Sequence, residues 1–96
     1  MDINFVSLII HKHQADLDQF AVKSLAVFGS VARGEATESS DVDLLVEFNR
    51  PIGLFEFIRL KNHLENLIGF KVDLVTPDAL HPALRKSILS EAVYVA

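Results

Sequence analysis

The feature that most limits the fold of this chain is the short polar connection between its first two strongly apolar runs. Residues 24–29 and residues 42–48 each have the length and composition of a buried strand. The residues between them, 31–40, are small and polar without an apolar face, and they predict a loop. A parallel crossover needs about a dozen residues or more, usually including a helix, so an antiparallel or irregular connection between the two strands is expected.

The rest of the chain alternates helical and strand patterns. Apolar residues recur close to every 3.6 positions over residues 4–20, which predicts an amphipathic helix. Later patterns predict a helix over residues 54–68 that Gly69 ends, and a third strand over residues 71–76. They also predict a last helix over residues 82–92 that begins at Pro82, and a short edge strand over residues 93–95. The second and third strands, joined by a helix, are expected to be parallel. The predicted fold is a single α/β (α+β) domain, residues 1–96, with a small mixed sheet of three to four strands flanked by helices.

Composition excludes several classes of protein. Half of the residues are hydrophobic and 23% are charged, which indicates a packed globule and not a disordered chain. There is no cysteine, so disulfides and thiolate metal sites are excluded. The first residues lack the positive region of a secretory signal, and no apolar run approaches the roughly 20 residues of a membrane span, so the predicted location is the cytoplasm. The net charge is −4 with scattered Lys and Arg, which argues against a long nucleic acid as ligand but is compatible with a nucleotide.

Two aspartates at the start of the second strand are the first candidates for chemistry. Asp41 and Asp43 are two positions apart, which places both carboxylates on one face of a strand, while Leu44, Val46 and Phe48 fall on the other face. Adjacent carboxylates repel one another and raise each other's pKa, a cost that a divalent cation removes. Mg²⁺ is typically held by one or two carboxylates and phosphate oxygens. The alternative interpretation is a polar turn before a strand.

A glycine and a serine end the first predicted strand and suggest a phosphate site. Gly29 allows close approach of the backbone to a ligand, and Ser30 offers a hydroxyl and an N–H to a phosphate oxygen. Arg33 follows with a guanidinium that can clamp phosphate. The alternative is an ordinary turn with a solvated arginine.

A third carboxylate, Asp73, lies within the otherwise apolar third strand. If the second and third strands are parallel neighbours, Asp73 lies level with Asp41 and Asp43. An antiparallel first strand then brings Ser30 to the same edge. Three carboxylates can hold two metal ions about 3.5–4 Å apart, an arrangement suited to phosphoryl-group transfer. The alternative is a solvated side chain on an edge strand.

Three strings together carry a family resemblance, at residues 29–35, 40–46 and 72–75: Gly-Ser-Val-Ala-Arg-Gly-Glu, Ser-Asp-Val-Asp-Leu-Leu-Val and Val-Asp-Leu-Val. The combination resembles the nucleotidyltransferase superfamily that includes DNA polymerase beta. It is more closely similar to the minimal prokaryotic branch, single-domain antitoxins paired with HEPN-domain ribonuclease toxins. The resemblance spans nearly the whole chain, including its ending, residues 85–94.

The resemblance implies a site and a reaction. Residues matching Asp41, Asp43 and Asp73 bind Mg²⁺, with two ions expected, and those matching Gly29 and Ser30 hold the phosphates of the nucleotide. The implied reaction transfers AMP from ATP to a tyrosine of the HEPN toxin, within a homo- or hetero-oligomer that the sequence does not define.

Two other functions remain as alternatives at this point. One is a non-catalytic antitoxin that neutralises its partner by forming a complex; the apolar cluster near Phe55 is expected in the core, although Phe55 alternatively faces a partner. The other is a phosphoreceiver-like signalling domain, which needs more strand–helix repeats than this chain has room for.

Overall fold

The computed structural model describes residues 2–96 and contains a mixed sheet with helices. The five helices are α1 (Ile3–Lys12), α2 (Gln14–Gln19), α3 (Gly29–Ala32), α4 (Leu54–Ile68) and α5 (Pro82–Glu91). The four strands are β1 (Val22–Phe28), β2 (Val42–Phe48), β3 (Val72–Val75) and β4 (Val93–Tyr94), and a 3₁₀ turn spans Pro77–Ala79. The predicted α/β class with a small mixed sheet is confirmed. No helix within residues 2–96 is long and apolar enough to span a bilayer.

The strand directions place three chain segments at one edge of the sheet. The order is β3-β2-β1-β4, with β1 antiparallel to both β2 and β4 and with β2 parallel to β3. Both the antiparallel first connection and the parallel crossover are therefore as predicted. The end of β1 and the beginnings of β2 and β3 consequently meet at the same edge, where Gly29, Asp43 and Asp73 lie.

The sheet separates a large apolar cluster from a small one. On one face, buried side chains of the strands, among them Leu44 and Val46, pack with α1, α2 and α4. On the other face Ala26, Phe28 and Leu45 form a small cluster with Leu80, partly covered by side chains of α5. No residue of α5 is itself fully buried. Asp43 alternates with Leu44 along β2, so it belongs to the thinly covered face.

The predicted helix over residues 4–20 is wrong in one respect, because it is interrupted at His13. There the backbone has φ −118° and ψ 29°, which are not helical values, and α2 begins at the next residue. The break accompanies a contact between the helices: Asp16 of α2 lies 3.0 Å (Oδ2 to Nε2) from His63 of α4, and Leu17 is fully buried. A break of one residue leaves the apolar period almost unchanged, so the sequence pattern does not reveal it.

The predicted loop over residues 31–40 is wrong at its start. Gly29 is not the last residue of β1 but the first of α3, a single helical turn. Val31 within this turn is 1% exposed and belongs to the large cluster. Four residues are too few to display a helical period, which is why the pattern indicated a loop. The bounds of β2 and α4 agree with the prediction.

The glycine that ends α4 gives a first testable prediction. Gly69 has φ +82°, and its N–H donates to the carbonyl of Glu65 at 2.8 Å. Alanine at this position must adopt a left-handed conformation, so Gly69→Ala is expected to lower the free energy of unfolding by about 1 kcal/mol. Urea denaturation measures this loss.

A second glycine supplies the matched control. Gly53, the N-cap of α4, has φ −75°, and a Cβ added to it would meet no atom within 4 Å. Gly53→Ser should not destabilise the protein, because a serine N-cap is more stable than a glycine N-cap by about a few tenths of a kcal/mol. Equal losses in the two variants would contradict the assignment of the Gly69 effect to backbone conformation.

Candidate active site

Strand register brings the three predicted carboxylates to one face of the sheet. Asp43 on β2 lies opposite Asp73 on β3 and, on its other side, opposite Phe28 on β1. Asp41 immediately precedes β2 and continues its alternation. Residues two apart on a strand share a face, and so do register partners on parallel strands. The structure therefore places Asp43 level with Asp73, as the sequence predicts, whereas Asp41 shares their face but precedes Asp43 by two positions along the chain.

The electrostatics of Asp43 reflect this grouping. Partial burial raises the pKa of Asp43 first, and the negative charges of Asp73 and Asp41 raise it further. Glu91 adds to this effect, while Arg33 opposes it. The carboxylates are thus close enough to repel one another, and the site carries an excess of negative charge that a cation would neutralise.

The donor set suits magnesium. Within residues 2–96 no three carboxylate or imidazole side chains form a ready-made metal cage. Mg²⁺ seldom uses such cages; it is bound by one or two carboxylates and completes its shell with water and phosphate oxygens. Asp41, Asp43 and Asp73 offer oxygen ligands only and share one face, with Asp43 and Asp73 in register. Their chemistry fits Mg²⁺ shared with a polyphosphate.

Gly29 is in close contact with the central carboxylate. Its φ is +72°, and a Cβ at this position would overlap Oδ2 of Asp43 and lie 3.0 Å from the Cγ of the same side chain. Only glycine allows the backbone to pass this close to the Asp43 carboxylate. Ser30 follows in α3 and is half-buried, so the predicted Gly-Ser pair lies at the same edge as the carboxylates.

Arg33, the third predicted phosphate ligand, lies near the site but is held by two carboxylates. Its Nε donates to Oε1 of Glu35 at 2.6 Å, and its Nη1 donates to the two carboxylate oxygens of Glu91 at 3.3 and 3.4 Å. These bonds, Glu35 first, raise the pKa of Arg33 above its usual value. The bonds use Nε and Nη1 of Arg33, and a guanidinium carries further N–H donors on Nη2.

Glu91 is the residue of this region that sequence reasoning missed. Its Oε1 accepts the backbone N–H of Gly29 at 3.0 Å, across a large sequence separation. One signal was available: Glu91 is the last residue of α5, where the helix dipole disfavours a negative charge. An acidic residue in that position indicates a partner elsewhere in the fold.

Comparison with known families decides the identity of this arrangement. The family described as "Nucleotidyltransferase domain" matches residues 10–95. This chain belongs to that family. The match includes all of β1, β2 and β3, and with them the Gly-Ser turn and the three aspartates.

Individual relatives place the nucleotidyltransferase in the minimal branch of the family. The protein adenylyltransferase MntA of Thermococcus cleftensis is 44% identical over 91 residues, covering 94% of this chain and 92% of the relative. A solved structure described as a candidate minimal nucleotidyltransferase is 41% identical with a TM-score of 0.82, over 97% of this chain and 95% of its own. The fold is also shared, at 17% identity and a TM-score of 0.68, with a structure of a tri-AMPylated Shewanella oneidensis HEPN toxin in complex with an MNT antitoxin, over 95% of this chain and 71% of the other.

The charge on Asp43 gives a second prediction, for stability. A raised folded-state pKa means that the folded protein holds the Asp43 proton more tightly than the unfolded chain does. Stability is therefore lost as pH rises from the ordinary Asp value of 3.8 through the folded value, and the cost is fully present above both. In metal-free buffer, Asp43→Asn should raise the melting temperature at neutral pH and give no gain well below the ordinary value.

Thermal unfolding in chelator-treated buffer at the two pH values checks this prediction. Asp18→Asn is the control, because Asp18 is exposed on α2 and distant in sequence from the site. An equal change in melting temperature at both pH values would contradict a repulsive origin.

Proposed function

We propose that this nucleotidyltransferase acts in the cytoplasm as an antitoxin, transferring AMP from ATP in the presence of Mg²⁺ to a tyrosine of a HEPN-type ribonuclease partner. The observation that carries the proposal is the close arrangement of Asp73, Asp43 and Gly29 at one sheet edge. The MntA relative at 44% identity, named a protein adenylyltransferase, supports transfer to a protein. The Shewanella oneidensis complex supports a HEPN partner by its description, although the likeness to it is one of fold.

The proposed roles follow from position. Asp41 and Asp43 hold the metal–triphosphate, and the Gly29-Ser30 turn receives its phosphates, with Arg33 at the margin. Mg²⁺ supplies charge neutralisation on the phosphates and a lower pKa for the attacking hydroxyl, and two ions are proposed. Such transfer needs mainly positioning and charge stabilisation from the protein, which are the roles proposed for these residues.

The proposed step is an in-line displacement at the α-phosphorus of ATP. The tyrosine oxygen forms a bond to the α-phosphorus, the bond from that phosphorus to the bridging oxygen of the β-phosphate breaks, and pyrophosphate leaves. The phenolic proton departs with assistance from Asp73 and Asp41.

Differently labelled ATP tests the proposal directly. The protein, Mg²⁺ and a HEPN protein encoded next to it are incubated with ATP labelled at the α- or the γ-phosphate. Label from the α-phosphate should appear on a tyrosine of the HEPN protein, with release of pyrophosphate. Label from the γ-phosphate alone would indicate a kinase, and no label in either case would reject protein AMP transfer.

A binding function without turnover is the second candidate. The beginning of α4 exposes Leu54 (70%) and Phe55 (83%), large apolar side chains with no core role in this chain. The expectation that Phe55 belongs to the core is therefore wrong, and its exposure favours a partner-facing surface. If a variant with both Asp41 and Asp43 replaced by asparagine still neutralises the toxin fully in cells, binding is the function.

A further inference from the structure

The Gly29 turn is held from two sides by different parts of the chain. On one side Asp43 of β2 lies against the position that a Cβ would occupy. On another, the N–H of Gly29 donates to the Glu91 carboxylate at 3.0 Å. Since a backbone N–H carries one hydrogen, this donor is occupied by Glu91, and Ser30 is the next residue able to donate to a phosphate.

The position of Glu91 is fixed by the sheet. Immediately after α5, β4 pairs with β1 at Ala26 and Val27, close to the turn that Glu91 contacts. The side chain of Glu91 is 27% exposed, against 63% for Glu35, the other carboxylate that binds Arg33. A carboxylate at the end of a helix is disfavoured by the helix dipole, and here the Gly29 N–H and the Arg33 guanidinium compensate for that cost.

We propose that Glu91 is a positioning residue for nucleotide binding, which holds the left-handed Gly29 turn against Asp43 and keeps Arg33 at the margin of the site. This inference rests on the proposed function, because it assumes that the Gly29-Ser30 turn receives phosphates. Glu91 itself does not touch the nucleotide; it acts through the Gly29 N–H and the Arg33 side chain. Arg33 is then held in place by Glu91 and contributes to phosphate binding through the long-range attraction of its positive charge.

The test measures nucleotide affinity and the state of the turn separately. The full chain is titrated with the non-hydrolysable analogue AMP-PNP and Mg²⁺, and the backbone amides of Gly29 and Ser30 are followed by ¹⁵N NMR. Glu91→Ala removes both contacts and should weaken AMP-PNP binding about tenfold while shifting the Gly29 amide resonance. Glu91→Gln retains an oxygen that accepts the Gly29 N–H and should restore most of the affinity.

Glu35→Gln is the matched control. It weakens the shorter bond to Arg33 without touching Gly29, so AMP-PNP affinity should stay within about twofold of the unchanged protein. An equal loss in Glu35→Gln and Glu91→Ala would overturn the proposal, because the effect would then be one of charge around Arg33. Unchanged or tighter binding by a folded Glu91→Ala would also overturn it, since the carboxylate would then compete with phosphate.

If Glu91→Ala does not unfold cooperatively and is therefore not properly folded, Glu91→Asp tests the proposal in its place. Its carboxylate is one methylene shorter and cannot keep the 3.0 Å bond to Gly29 without backbone movement, so weaker AMP-PNP binding is expected. Binding equal to that of the unchanged protein would overturn the proposal. The two proposals remain distinguishable: AMP-PNP affinity and the Gly29 amide report on Glu91, whereas transfer of α-label reports on the proposed function.

Discussion

Replacing both Asp41 and Asp43 with asparagine is expected to lower the rate of labelled AMP transfer by about 10³-fold or more. Metal-based stabilisation of transition-state charge amounts to several kcal/mol, and each 1.36 kcal/mol corresponds to tenfold in rate. The double variant removes two of the three carboxylates at the sheet edge, including the one paired in register with Asp73. Initial rates of α-label transfer at saturating Mg²⁺ and ATP measure the loss.

A control of equal charge separates chemistry from net charge. Asp18→Asn with Asp78→Asn also removes two negative charges, from exposed positions on α2 and on the 3₁₀ turn, and should change the rate less than about threefold. The Asp41 and Asp43 variant should remain folded, because it relieves repulsion. Label transfer that survives in this variant would reject the proposed mechanism.

Gly29→Ala is expected to lower transfer activity by about 100-fold or more while the protein remains folded. The new Cβ would overlap the Asp43 carboxylate and force it away from its present position. The moving atoms belong to the end of a side chain, so the fold can adapt, but the carboxylate is displaced from the place where it would hold the metal–triphosphate. A displacement of about 1 Å at a reacting centre typically costs on the order of 10²-fold in rate.

Gly34 offers a control in which the same backbone conformation occurs without the contact. Its φ is +73°, and nothing lies within 4 Å of a Cβ position there. Gly34→Ala should therefore lower the free energy of unfolding by about 1 kcal/mol and leave most of the activity. Comparable activity losses in the two variants would show that the left-handed conformation, and not contact with Asp43, is what matters at Gly29.

The sequence predicted the parts of this fold that depend on period and length. The bounds of β2 and α4 were predictable because a buried strand and a long amphipathic helix have strong periodic signals. The antiparallel pairing of β1 with β2 followed from a connection too short for a crossover. The level alignment of Asp43 with Asp73 followed in turn from the parallel crossover expected between β2 and β3.

What the sequence could not predict depends on single residues and on contacts distant in the chain. The break at His13 and the one-turn helix α3 are too short to alter an apolar period. The bond from Gly29 to Glu91 joins residues far apart in the chain, and the identity of neither residue indicates which residue it contacts. The bond from Arg33 to Glu91 was missed for the same reason, whereas Glu35 is only two residues from Arg33 and its bond depends on how the chain turns after α3.

The pairing of β1 with β2 also bears on how the site assembles during folding. The Gly29–Asp43 contact lies between the neighbouring antiparallel strands β1 and β2. Asp73 reaches the same site only when β3 has paired with β2 through the crossover helix α4. Closing a shorter loop costs less chain entropy, so the hairpin half of the site can form early and independently of the crossover. Substitutions that slow the docking of β3 should therefore delay the third carboxylate while leaving the glycine turn in place.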